Sequence, residues 1–218
     1  ERQGQHAPAV SVAERNGLMH ELSDMVLDLV AQEGGLLMRQ HPHFHISVNL
    51  SGEDFRRPDL GAWIDDALHQ MGGRAENLHV EATEGMLMDV GSARQGMEQL
   101  RSRGIGIAID DFGTGYSSLS YLATLNVDHL KIDKSFVDTI GTDAVTSSLI
   151  SHIIAIGHSL KLTLVAEGVE TQAQADYLRD QGVQLAQGWL YARSMPMEQL
   201  LAQLARTDTP GKATTPVD

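Results

Sequence analysis

The 218-residue sequence predicts an α/β fold, a TIM-like (β/α) barrel whose first strands are missing from the chain. Two observations carry that expectation. A strand–loop–helix unit recurs six times, with enough chain between strands for a crossover helix. Polar residues also mark the strand exits: Asn49, Glu81, Asp110 with Asp111, Lys131 with Asp133, Glu167 and Gln187. In a parallel barrel the C-terminal strand ends converge on one face, where such folds do chemistry. An open doubly wound sheet would spread them along an edge, with one crevice at its switch point. Six polar exits are too many for one crevice.

The elements follow in order. Glu1 to Pro8 reads as coil, and Val12 to Ala31 as a helix through Leu18, Leu22, Met25, Val26, Leu29 and Val30, stopped by Gly34-Gly35. His45 to Leu50 alternates and reads as a strand ending at Asn49. Leu60, Trp63, Ile64, Ala67 and Leu68 form a helical stripe within Asp59 to Met71, closed by Gly72-Gly73. Leu78 to Ala82 is a strand with Glu81 and Glu84 near its exit, and Val90 to Arg103 a helix closed by Gly104. A strand from Ile105 ends in Asp110-Asp111. After a glycine-rich loop and a short helix, a strand from His129 ends in Lys131-Ile132-Asp133. Thr142 to Leu160 is a helix and Leu162 to Ala166 a strand with Glu167 and Glu170 beyond it. Thr171 caps a helix to Asp180. Val183 to Ala186 is a short strand, and Pro196 starts the last helix, through Leu204. The barrel unit is 1–205, and 206–218, rich in Thr and Pro, reads as a disordered tail.

A barrel of this kind closes with about eight strands. Six are readable here, and the chain opens with coil and a helix. The expectation is therefore that two strands lie upstream of Glu1, with a barrel open on one side, or closed by a partner chain, as the alternative.

Composition narrows the chemistry. The absence of cysteine excludes disulfides and thiolate metal sites and points to a reducing compartment. A net charge of −13 argues against binding a nucleic-acid polymer. An anionic substrate can still bind where cations stand between it and the carboxylates. No apolar run is long enough to cross a bilayer.

Asp110-Asp111 is the strongest local signal. Adjacent carboxylates repel, and at the end of a buried strand they call for a cation. Oxygen-only ligands favour a hard divalent ion, magnesium or manganese. A turn or a helix cap is the bland alternative for the pair taken alone, but matching donors at Glu81, Glu167 and Asn49 favour a shared site. Alternation puts Lys131 and Asp133 on one side of their strand. A lysine inside a barrel needs an ion pair. The loop GTGYSS lacks the P-loop spacing, and DFG stands without the other kinase strings. His41, His43 and His45 read as a solvated approach to a strand more readily than as a transition-metal site.

NLS at Asn49, ExTE at Glu81 to Glu84, DDFGTGYSS at Asp110 to Ser118, KID at Lys131, EGVE at Glu167 to Glu170, and QG at Gln187 followed by Pro196 together resemble the EAL-domain family, in order and spacing, from about Val12 to Leu204. The resemblance implies a barrel that hydrolyses cyclic di-GMP to linear pGpG with two divalent cations, Mg2+ or Mn2+. It implies that Asn49, Glu81 and Asp110 hold one ion, and that Asp110, Asp111 and Glu167 hold or border the second. Lys131 is then the residue that holds the attacking water, Glu167 a candidate base, and Glu84 the anchor of the DDFGTGYSS loop. Asp133 has a supporting role, and Gln187, Glu170 and Pro196 fall on the substrate side. The family's Glu-Ala-Leu string, whose glutamate completes the first metal site, is not in these residues and by spacing falls just before Glu1. The resemblance further implies a homodimer formed near Gly113, an upstream sensory or GGDEF-type domain, and a cytoplasmic location, either alone or as the cytoplasmic part of a larger membrane-anchored protein. The alternative is a catalytically inactive cyclic di-GMP receptor or an interaction module.

Overall fold

The computed structural model describes residues 7–83, 90–114, 122, 125–144 and 147–207. Helices α1 (Ala7–Asn16) and α2 (Met19–Gln40) lead into β1 (Ile46–Asn49), then α3 (Leu60–Met71), β2 (Leu78–Thr83), α4 (Val90–Arg101) and β3 (Gly106–Phe112). Then come β4 (His129–Ile132), α5 (Lys134–Val137), α6 (Ser147–Ser159), β5 (Thr163–Ala166), α7 (Gln172–Asp180), β6 (Leu185–Ala186) and α8 (Met197–Thr207).

The six strands form one sheet in the order β1-β2-β3-β4-β5-β6, every pair parallel. The order never reverses, so there is no switch point. Right-handed crossovers repeated in one direction place their helices on one side and curl the sheet into a half-barrel. β1 and β6 are the edges among the described residues.

Alternation gives the sheet two unlike faces. The face under the helices carries Val48, Val80, Ile107, Ile109, Leu130, Ile132 and Leu164, all buried. Each contributes about 1.5–3 kcal/mol by leaving water. The concave face carries Ser47, His79, Glu81, Ala108, Asp110, His129, Lys131 and Val165. The register sets them side by side: Asn49 against Glu81, Glu81 against Ala108, His129 against Thr163, Lys131 against Val165.

Helix α2 departs from the expected boundary. The chain breaks at Gly17, in the left-handed region at φ 67°, and the helix then runs through Gly34-Gly35 to Gln40. A Cβ on Gly34 would lie 2.6 Å from Met71 Sδ, so these glycines are buried where α2 crosses α3. Close packing here outweighs the poor helix propensity of glycine, a cost of about 1 kcal/mol. The helix expected from Thr142 is helical from Ser147, and the strand expected from Val183 shrinks to Leu185–Ala186. The Thr171 cap forms as expected, with Gln174 reciprocating. Arg206 and Thr207 belong to α8. Ala7 and Pro8, expected as coil, already belong to α1. The rest of the expected coil, the short helix after the glycine loop, apart from Leu122, and the tail beyond Thr207 lie outside the described residues.

Candidate metal centre

The carboxylates expected at the strand exits meet around one lysine. Lys131, 4% exposed on β4, directs Nζ to Asp110 Oδ1 at 2.9 Å, to Glu167 Oε1 at 2.7 Å, and to Glu81 Oε2. Gln187 donates from Nε2 to Glu167 Oε1 at 2.7 Å. Four strand exits, β2 to β5, thus converge with the chain just past β6.

The adjacent aspartates need a special backbone to act together. Strict alternation would send them to opposite faces. The register of β3 against β4 shifts between Ile109 and Phe112, and Asp111 takes φ 55°, rare for a non-glycine residue. Thr114 ties the turn through its N–H and hydroxyl to Asp111 O, and Asp111 N–H donates to Asp110 Oδ1 at 3.0 Å. The irregularity re-aims a side chain, the usual use of such a kink beside a site. As a result Asp110, Asp111 and Glu167 each offer an oxygen, all within 4.8 Å of one another.

Charge balance favours cations there. Glu81, Asp110, Asp111 and Glu167 face one ammonium. Burial lowers the Lys131 affinity for its proton, but Glu167 and Glu81 reverse this, and its pKa ends above the ordinary value. Burial raises the Glu167 carboxyl; Lys131 pulls it back, and Asp110 and Glu81 push it up again, for a net rise. Asp111 is raised by burial and then by Asp110. An all-oxygen set with unbalanced negative charge fits a hard divalent cation. Asn49 stands next to Glu81 in register at the exposed rim of the same cluster.

The other expected residues fall around this centre. Asp133 follows the end of β4 at Ile132 and is near enough to the cluster to help raise the Asp111 pKa. Its carboxylate also caps α5, accepting from Ser135 N–H at 2.9 Å and from the Ser135 hydroxyl. Glu170 pairs with Lys134 at 2.9 Å, outside the cluster. Pro196 is exposed at the start of α8. Glu84 lies outside the described residues. His41, His43 and His45 do not join the carboxylate cluster, and among the described residues that cluster is the one with metal-holding spacing.

Several residues near the site, His79 and His129 among them, carried no sequence signal. His45 stacks on His79 and His79 on His129, with centroids 5.2 and 4.6 Å apart, along the concave face. Burial, then His129 and His45, lowers the His79 pKa to about 4. His129 lines a cleft with Ser47, Glu81, Lys131 and Gln187, and its buried Nδ1 has no hydrogen-bond partner among the described residues. Beside Gln187, the Arg193 guanidinium covers the exposed Trp189 ring at 4.8 Å. Trp189 was legible only as the neighbour of Gln187-Gly188.

A parallel half-barrel with oxygen donors gathered at its strand exits defines a class of metal-dependent barrel. The chain belongs to the EAL-domain family, whose model matches residues 4–194. It is 39% identical over 192 residues to the probable cyclic di-GMP phosphodiesterase PdeB of Escherichia coli K12, covering 88% of this chain and 36% of that protein. It is 41% identical over 204 residues to the bifunctional diguanylate cyclase/cyclic di-GMP phosphodiesterase MucR of Pseudomonas aeruginosa, covering 93% of this chain and 29% of that one. Among solved structures, the Pseudomonas MucR phosphodiesterase in complex with c-di-GMP superposes with a TM-score of 0.81 at 39% identity, covering 88% of this chain and 78% of that one. The chain therefore spans about a third of the length of these two curated relatives.

Proposed function

We propose that this chain is the catalytic barrel of a cyclic di-GMP phosphodiesterase that forms linear pGpG with two divalent cations, Mg2+ or Mn2+. The observation that carries the reading is the convergence of Asp110, Asp111 and Glu167 beside Lys131 at the strand exits. Asn49, Glu81 and Asp110 would hold one ion, and Asp110, Asp111 and Glu167 would hold or border the other. The ions, when bound, supply the Lewis acidity that activates water and screens the leaving oxygen. Lys131 keeps its proton and orients the attacking water near the developing negative charge. Glu167, with a raised pKa and an orienting bond from Gln187, is the candidate base. Asp133 shapes the exit of β4 through its cap, and Glu84 anchors the loop after Asp111. Gln187, Glu170 and Pro196 line the substrate side.

The pairing of diguanylate cyclase with phosphodiesterase in MucR supports a GGDEF-type neighbour in the full protein. No helix among the described residues is long and apolar enough to cross a membrane. A cytoplasmic location is part of the proposal. Dimerisation near Gly113 belongs to the same reading.

The test is an assay of the protein with Mn2+ and cyclic di-GMP. Formation of pGpG, abolished by chelation, is the expected result. Binding without turnover would make the protein a receptor. Absence of binding by calorimetry would leave an interaction module.

A further inference from the structure

Asp54 is fully buried, at 0% exposure, yet it belongs to neither the metal cluster nor its immediate neighbours. It lies just beyond the exit of β1. Its Oδ2 accepts from Ser51 N–H at 2.8 Å, from the Ser51 hydroxyl at 2.6 Å, and from the Ser23 hydroxyl at 2.7 Å. Its Oδ1 stands 3.1 Å from His20 Nδ1. Ser51 answers by accepting from Asp54 N–H at 3.2 Å. One turn along, Arg57 donates to Asp24 at 2.6 Å while its guanidinium covers Trp63 of α3 at 4.3 Å.

Local turn closure needs only the Ser51–Asp54 pair. The bonds to His20 and Ser23 reach 34 and 31 residues back, onto the first turns of α2. A carboxylate wholly out of water is costly even when hydrogen-bonded, and an apolar residue of similar size often gives equal or greater stability. What such a group supplies is a fixed geometry. The geometry held here is the end of β1: Leu50 N–H donates to Glu81 O at 3.0 Å on one side, and Ser51 is held by Asp54 on the other. Asn49 sits directly before these two attachments, beside Glu81 in register.

We propose that Asp54 is a positioning residue for the metal centre: it fastens the exit of β1, and with it Asn49, to the first turns of α2. This rests on the reading of Asn49 and Glu81 as ligands. The group acts through Ser51 and touches no reacting atom. Outer groups that orient ligands change metal affinity by about 10- to 100-fold when removed. The other attachments of the segment, the Arg57–Asp24 bridge and the Trp63 contact, remain when Asp54 is changed.

Asp54→Asn and Ser23→Ala separate positioning from simple support. Mn2+ binding is followed by calorimetry, and amide exchange is followed across Asn49 to Glu53. Asp54→Asn is expected to weaken Mn2+ binding about tenfold and to speed exchange at Ser51. Ser23→Ala, which removes one of the two ties to α2 and leaves that of His20, is expected to do the same more weakly. Saturating Mn2+ should return most of the Asp54→Asn turnover, a recovery that a general loss of folding would not give. If Asp54→Asn does not fold, Ser23→Ala decides alone. Unchanged Mn2+ affinity in a folded variant, with or without faster exchange, overturns the positioning role. Wild-type protein that binds no Mn2+ overturns the metal-centre reading itself, a different failure.

Discussion

The two faces of the sheet come from the same strands and obey opposite rules. The face under the helices is uniformly apolar, and its residues are interchangeable in kind: Val80, Ile107, Leu130 and Leu164 all serve to exclude water. The concave face holds buried charges, each tied to a particular partner, with Lys131 between Glu81, Asp110 and Glu167. One face stabilises the fold; the other stores repulsion that a cation relieves. Stability and function are thus separable within single strands, at positions one residue apart.

The largest effect should come from the concave face. Asp110→Ala removes the carboxylate proposed to be shared by the two ion sites, and metal-dependent hydrolysis of cyclic di-GMP should fall by about a thousandfold or more, about 4 kcal/mol in the barrier. Steady-state rates at saturating Mn2+ check this, and a variant of full rate would place the metals elsewhere. Lys131→Met leaves three clustered carboxylates without their ammonium. In chelator it should lose about 3–5 kcal/mol of stability, and Mn2+ should restore part of the loss. Urea unfolding with and without Mn2+ measures both terms, and equal stability in chelator would mean the carboxylates do not need the lysine.

Leu130→Ala, one residue away on the other face, should cost about 2–5 kcal/mol through a cavity while leaving Mn2+ affinity unchanged in the folded protein. A large loss of affinity would show that the faces are coupled. The smallest effect is set by pH. The His79 pKa is lowered to about 4 by burial and by its histidine neighbours. Its folded pKa lies below the unfolded one, so the unfolded chain binds more protons between them. The stabilising effect of the neutral ring is therefore complete above about pH 6.5 and declines as pH falls toward 4, on the order of 1–2 kcal/mol after solvent screening. The difference between wild type and His79→Gln in chelator, measured by urea unfolding across that range, should shrink as pH falls. A constant difference would mean that His79 titrates normally.

Much of the site was legible because its signals are local. Asn49, Glu81, Asp110, Lys131 and Glu167 each stand at the end of an apolar run, and a parallel fold sends such ends to one face. Other parts were not. That β4 stops at Ile132 and that the Asp133 carboxylate caps α5 could not be read from alternation. Gly34-Gly35 reads as a helix stop, and only the nearness of Met71 explains why α2 continues. The His45–His79–His129 ring contacts join the residue before β1 to β2 and β4 and have no pattern along the chain. The Asp54 network is invisible for the same reason, since its two sides are more than thirty residues apart.

The sequence by itself determined the order of strands and helices, the apolar run of each strand, and the oxygen chemistry of the exits, because periodicity and residue type are properties of short segments. Only the tertiary structure decided which carboxylates meet: the shifted register of β3 and the left-handed turn at Asp111 bring Asp110, Asp111 and Glu167 together. Glu170 is drawn off to Lys134. Electrostatic partnership depends on distance in space, and residues far apart in the chain acquire that distance only when the sheet closes around them.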